Sequence, residues 1–117
     1  MKLQNKKYSL FIGRYQPLHK GHIALIRTVL NEGKNVLIAL RNTGINEKNP
    51  HSYDERVTMF IKEFQKELDA GRMKIIQIDD IEEVCYGRKV GWGIRQIRLN
   101  KKIEDISATK IRESNKK

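Results

Sequence analysis

Short apolar runs alternate with amphipathic stretches along this chain. "YSLFI" (8–12) is an uninterrupted run of strand length, ended by Gly13. "HIALIRTVLNEG" then sets Ile23, Leu25, Ile26, Val29 and Leu30 at helical spacing, with Gly33 as its stop. "NVLIAL" (35–40) predicts a second buried strand, and "RNTGINEKNPHS" a polar loop. "YDERVTMFIKEFQKEL" predicts an amphipathic helix with Val57, Phe60, Ile61, Phe64 and Leu68 on its apolar face. Asp54 and Glu55 fall in its first turn, where the helix dipole favours acid. "MKIIQI" (73–78) predicts a third strand, "EEVCYG" a short fourth and "IRQIRL" (94–99) a fifth. "SATKIRES" closes as a short helix with Ser107 at its N-cap.

Apolar strands alternating with helices imply a parallel sheet covered on both faces. The expected fold is therefore α/β: one Rossmann-like, doubly wound domain with a mostly parallel five-stranded sheet flanked by helices. In such sheets ligands bind beyond the carboxyl ends of the strands. The stretch "GRYQPLHKGH" (13–22) lies just past the first of those ends.

A length of 117 residues suits one domain spanning 1–117, with about 1–6 and 114–117 frayed. No apolar run nears the ~20 residues a membrane span needs, and the start has no cleavage-site pattern. The single cysteine, Cys85, allows no internal disulfide, and a cytoplasmic protein is expected. Net charge is +10, which attracts anions: nucleic acid, an anionic membrane face or phosphorylated small molecules.

The dinucleotide fingerprint G-x-G-x-x-G and the phosphate loop G-x-x-x-x-G-K-[ST] are both absent after the first strand. His19-Lys20-Gly21-His22 stands there instead, at a helix start. Residues three apart share a helical face, so both imidazoles can address one spot above free backbone N–H groups. Gly21 allows close approach to the backbone, and Arg14 and Lys20 add positive charge. Read alone, the pair fits an ordinary helix start as well, one histidine capping and one packed. Two histidines without a third ligand nearby leave a zinc site incomplete. "ISATKIR" (106–112) gathers Ser107, Thr109, Lys110 and Arg112 at another helix start, which fits an anion or a plain cap. Two such starts suit a polyphosphate better than one phosphate. Trp92, the only tryptophan, could stack on a flat ring or pack in the core.

Taken together, "HKGH" and "ISATKIR" resemble the nucleotidylyltransferase superfamily, marked by H-x-G-H after strand one and I-S-x-T-x-[IV]-R near the end. "GRYQPLHKGH" is similar to the G-R-F-Q-P-x-H-x-G-H of archaeal-type nicotinamide mononucleotide adenylyltransferases, and "NPHSYDER" approximates their N-P-[FY]-[ST]-x-x-E-R. Cytidylyltransferases usually show G-T-F-D-x-L-H-x-G-H, from which Arg14, Tyr15 and Gln16 depart. "HSYDER" and the small size are nonetheless similar to glycerol-3-phosphate cytidylyltransferase. The stretch between strand three and the last motif is shorter than in archaeal adenylyltransferases, which leaves the acceptor open.

The resemblance implies transfer of AMP from ATP to a phosphate-bearing acceptor with release of pyrophosphate. Nicotinamide mononucleotide is the first acceptor to test. The alternative is cytidylyl transfer from CTP to glycerol 3-phosphate or a similar alcohol phosphate. It implies catalytic roles for His19, His22 and Arg112, with His22 at the α-phosphate. It implies nucleotide contacts from Gly13, Arg14, Tyr15, Gln16, Lys20, Gly21, Lys48, Ser107 and Thr109, with base or acceptor stacking by Trp92. Mg²⁺ is expected, bound mainly through the triphosphate, with no protein ligand set; Asp79 and Asp80 are weak candidates. A homo-oligomer is within expectation. A basic nucleic-acid-binding protein without turnover is the alternative of another class; few aromatics stand ready to stack on bases, which ranks it low.

Overall fold

The computed structural model describes residues 6–88, 91–106 and 111–113. Its elements run β1 (Tyr8–Gly13), α1 (Lys20–Asn31), β2 (Asn35–Asn42), α2 (Tyr53–Asp69), β3 (Met73–Asp79) and α3 (Lys101–Glu104). The three strands form a parallel sheet in the order β1-β2-β3. Register places Phe11 beside Ile38 and Ile38 beside Ile75.

The end of α1 and the start of α2 carry recognisable signals. Gly33 (φ 82°) follows α1 in the left-handed region that glycine enters without steric cost. Ser52 caps α2: its Oγ accepts from the Glu55 N–H at 3.1 Å, while the Glu55 carboxylate accepts from the Ser52 N–H at 3.1 Å. The reciprocal bonds satisfy two donors that the first helical turn leaves orphaned.

The core lies on one face of the sheet. Val36, Ile38 and Leu40 alternate along β2 and pack with Ile26, Val29 and Leu30 of α1 and Phe60 and Phe64 of α2. Both helices therefore share that face, as two right-handed crossovers in the same direction require. Cover on both faces by these helices, and a reversal of strand order, are not found among the described residues. Leu10 of β1 and Ile76 of β3 stay 55% and 41% exposed.

The sheet has three strands among the described residues, where the hydrophobic pattern predicted five. Residues 81–88 and 94–99 join no ladder. A strand needs a neighbour that satisfies its backbone, and alternation alone does not supply one. The 94–99 stretch is instead fixed by side chains: Arg95 forks onto Glu32 at 2.8 and 2.5 Å, and Arg98 forks onto Glu104 at 2.9 Å through both nitrogens. Asn100 then caps α3, a turn of helix that the periodicity did not announce, by accepting from the Ile103 N–H at 3.0 Å. The N-cap predicted at Ser107 lies outside the described residues, although 111–113 are helical.

Candidate functional site

The connection from β1 to α1 is built around two imidazoles. His19 is the N-cap of α1, and its Nδ1 accepts from the Gly21 and His22 N–H groups at 3.0 and 3.4 Å. His22, three residues on, returns the bond: its Nδ1 accepts from the His19 N–H at 3.2 Å. This is a capping box made of two histidines. The rings stack with centroids 3.6 Å apart. The capping role and the shared face expected from the spacing are thus met by the same atoms.

That arrangement fixes the chemistry of both rings. An Nδ1 that accepts a backbone N–H carries no proton, so each neutral ring holds its proton on Nε2 and is a donor there. Both pKa values lie below the ordinary histidine range. For His19 the main cause is burial. For His22 burial comes first and the neighbouring His19 second, and together they bring it down to about 3. At neutral pH the site therefore offers two uncharged, fixed N–H donors.

Gly21 has a specific reason to be glycine. A Cβ there would stand 2.9 Å from His19 Cε1 and 3.1 Å from its Nδ1. The same holds for Gly13, whose Cβ would meet the Tyr15 ring at 2.9 Å. Tyr15 (φ 50°) and the cis Gln16–Pro17 bond shape the turn. Tyr15 is 6% exposed and lies beneath the site, edge-on to His22 at 4.7 Å and to Phe60 at 5.0 Å. Gln16, 2% exposed, pairs with the next loop: its Nε2 donates to the His51 carbonyl at 2.9 Å and its Oε1 accepts from the His51 N–H at 2.8 Å. Tyr15 and Gln16 thus support the site from below rather than lining it.

A cleft of about 440 Å³ opens above the imidazoles. Arg14, His19, Gly21 and His22 form one side. Leu25, Ile97, Leu99, Ile103 and Ile106 give it an apolar wall, with Glu104 beside them. Arg112, from the last motif, reaches the same connection and donates through Nη1 to the Gln16 carbonyl. The two ends of the sequence therefore meet at one turn. Lys20 is exposed at the start of α1, and Lys48 is exposed in the 43–52 loop, outside the cleft lining. Trp92 is 76% exposed and does not line the cleft. Ser107 and Thr109 lie outside the described residues. A further hollow of about 370 Å³, at the amino ends of the strands near Lys7 and Lys34, holds none of the predicted residues.

Three contributors fall within the motif-like stretch "NPHSYDER" (49–56), to which the sequence reading assigned no individual roles. Asn49 accepts from Arg14 Nη1 at 3.3 Å. His51 supplies the backbone that Gln16 grips. Arg56, 3% exposed, donates to the carbonyls of Ser52, Arg14 and Arg41 at 3.2, 3.0 and 2.9 Å. Arg56, Phe60 and Phe64 recur every four residues, so a charged residue on the buried face of α2 was the available signal. The pairings of Asn49 and His51 are non-local and left no such trace.

No group of three His, Cys, Asp or Glu that could hold a metal occurs among the described residues. The cleft offers imidazoles, a guanidinium and one carboxylate, Glu104, which Arg98 already holds through two hydrogen bonds; that set does not suit a protein-held Mg²⁺. Asp80 is engaged elsewhere, in a 2.6 Å ion pair with Arg41. No helix among the described residues is long and apolar enough to cross a membrane.

A profile of the cytidylyltransferase-like family matches residues 10–80. A nicotinamide-nucleotide adenylyltransferase of Caldivirga maquilingensis is 39% identical over 77 residues, 62% of this chain and 43% of its own length. A nicotinamide/nicotinic acid mononucleotide adenylyltransferase of Acinetobacter baylyi is 37% identical over 76 residues, 63% of this chain and 40% of its own. A nicotinamide-nucleotide adenylyltransferase of Pyrobaculum aerophilum is 27% identical over an alignment of 136 residues that covers 92% of this chain and 75% of its own length. The match spans less than half the length of the first two relatives.

Proposed function

The chain belongs to the cytidylyltransferase-like family, and from that membership we propose that it is a nucleotidyltransferase that moves AMP from ATP to nicotinamide mononucleotide. The observation that carries this reading is the pair of imidazoles with Nδ1 tied down and Nε2–H left as donor. The activity of the relatives, named as adenylyltransferases, supports adenylyl over cytidylyl transfer.

The acceptor's phosphate oxygen attacks the α-phosphorus of the nucleotide. A new P–O bond forms, the bond to the bridging β-phosphate oxygen breaks, and pyrophosphate leaves. An ionised phosphate is already a nucleophile, so no general base is needed. The step requires alignment and stabilisation of charge on the α-phosphate and leaving group. His22 and His19 donate there through Nε2–H without carrying charge of their own. Arg14, Lys20 and Arg112 supply the positive charge, with Lys48 joining from its loop and Ser107 and Thr109 from the last motif. The apolar wall of Leu25, Ile97 and Leu99 suits the flat base, and Trp92 is a candidate stacking partner for the base or acceptor ring. Mg²⁺ enters as part of the Mg–nucleotide substrate.

The test is pyrophosphate release with each nucleoside triphosphate, Mg²⁺ and a panel of phosphorylated acceptors including nicotinamide mononucleotide and glycerol 3-phosphate. ATP with nicotinamide mononucleotide is expected to turn over. No release with any pair sinks the proposal. Preference for CTP and glycerol 3-phosphate replaces it with the cytidylyl reading.

A further inference from the structure

We infer that Arg56 is a positioning residue that holds the β1–α1 turn in the shape that grips a polyphosphate; the inference rests on the nucleotide reading above. Arg56 touches none of the residues that line the cleft through its side-chain tip except one. Its Nη1 donates to the Arg14 carbonyl at 3.0 Å, and Arg14 lines the cleft with His19 and His22. The same nitrogen donates to the Arg41 carbonyl at 2.9 Å, and Nε donates to the Ser52 carbonyl at 3.2 Å. One guanidinium thus joins the exits of β1 and β2 to the first turn of α2.

The partners are unusual for a residue only 3% exposed. A buried cation normally requires a carboxylate, because desolvation of an unpaired charge is costly. Among the described residues its hydrogen-bond acceptors are backbone carbonyls, and burial lowers its pKa. A lysine would keep the charge, but its compact ammonium on a flexible stem cannot reproduce a fork spread over three carbonyls. The spread matters because it fixes the Arg14 carbonyl, where the turn leaves β1. Tyr15 sits at φ 50°, outside the regions most side chains adopt. Gln16 is fixed through its pairing with His51, and its carbonyl is taken by Arg112. Arg14 itself donates to Asn49 Oδ1 at 3.3 Å, and its carbonyl is held by Arg56. Releasing that carbonyl lets the Arg14 guanidinium and the N-cap of α1 drift from the positions a triphosphate needs.

A residue that acts this way should alter discrimination among phosphate counts, which a general loss of folded protein does not. Calorimetry would compare AMP, ADP and ATP, each with Mg²⁺, on the wild type, Arg56→Lys, Arg56→Ala and Phe64→Leu. Phe64→Leu thins the core away from the turn and serves as the stability control. In Arg56→Lys the advantage of ATP over AMP is expected to shrink ~10-fold or more while AMP affinity is kept, because misplacement of about 1 Å can forfeit that much. Phe64→Leu should lower the melting temperature and keep the ratio. An unchanged ratio in folded Arg56→Lys overturns the inference, as does an equal fall in all three affinities. Failure of Arg56→Lys to fold, or no ATP advantage in the wild type, overturns it too. Pyrophosphate release by the wild type separately decides the proposed reaction.

Discussion

Residues 8–79 and the described residues of 81–106 are built by different means. The first stretch buries its apolar side chains: Ile26, Ile38, Leu40, Phe60 and Phe64 are each 0% exposed. The second leaves Val84, Tyr86, Trp92 and Ile94 at 67, 64, 76 and 80% exposure. Helix and strand ladders hold the first, while forked arginine–glutamate pairs tie the second to the C-cap of α1 and, internally, to its own α3. Yet both supply the cleft, the first its polar side and the second most of its apolar wall. The contrast teaches that the half of the site proposed to grip the triphosphate rests on the packed core, whereas the half proposed to meet the base rests on a surface segment with little burial of its own. Such segments are where local opening costs least.

The largest effect should come from the packed half. His22→Ala removes the Nε2–H donor proposed to meet the α-phosphate, and ~10²- to 10³-fold loss of pyrophosphate release is expected, measured as kcat. Retained turnover would mean that the imidazole pair is only a helix cap. On stability, Phe60→Ala should cost ~3–5 kcal/mol in denaturant unfolding, because a fully buried aromatic leaves a cavity. A cost below ~1 kcal/mol would show that the core is looser than its packing implies.

Gly21→Ala separates site geometry from fold. In a helix this change normally stabilises by up to ~1 kcal/mol. Here the new Cβ falls 2.9 Å from His19 Cε1 and 3.4 Å from the Ile103 carbonyl oxygen. The ring must swing away from the cap, so turnover is expected to drop while the unfolding midpoint changes little. Wild-type turnover in Gly21→Ala would show that the His19 rotamer does not matter.

The histidine box also gives the packed half a pH signature. Both imidazoles have folded-state pKa values below the unfolded ~6.5, His22 at about 3. Between those values the unfolded chain binds more protons than the folded one. Stability from this source is therefore full above ~6.5 and lost as pH falls toward about 3. Melting temperatures from pH 7.5 down to 4 should fall more steeply for the wild type than for His22→Asn, which keeps a side-chain acceptor but does not titrate. Equal slopes would place the acid sensitivity elsewhere.

How far the sequence announced this division follows from what each signal encodes. Period-four spacing and short apolar runs placed α1, α2 and all three strands, because each of those segments buries a face that the pattern itself marks. The histidine pair was legible for the same reason, since three-residue spacing sets two side chains on one helical face. "IRQIRL" alternates like a strand, but pairing depends on a neighbour that no local pattern specifies. Its Ile97 and Leu99 serve the cleft instead. The Gln16–His51 pairing spans 35 positions and the Arg56–Arg14 contact 42, so no window of sequence contains either.

The smallest effect is expected at Trp92, and it probes the weak side of the comparison. An indole 76% exposed contributes little burial, so Trp92→Ala should change the unfolding free energy by less than ~0.5 kcal/mol. It is also the chain's only tryptophan, so wild-type fluorescence reports on this segment alone. In the free protein the emission should be that of a water-exposed ring, quenched readily by iodide. If the 81–106 segment folds over the bound base or acceptor ring, nucleotide with acceptor will shield it from quencher and shift emission to the blue. Trp92→Ala would then weaken acceptor binding and leave stability untouched. Quenching that nucleotide and acceptor leave unchanged would confine this residue to the surface and place the aromatic contact elsewhere. A stability loss as large as that of Phe60→Ala would break the comparison itself, because it would mean that this segment carries core after all.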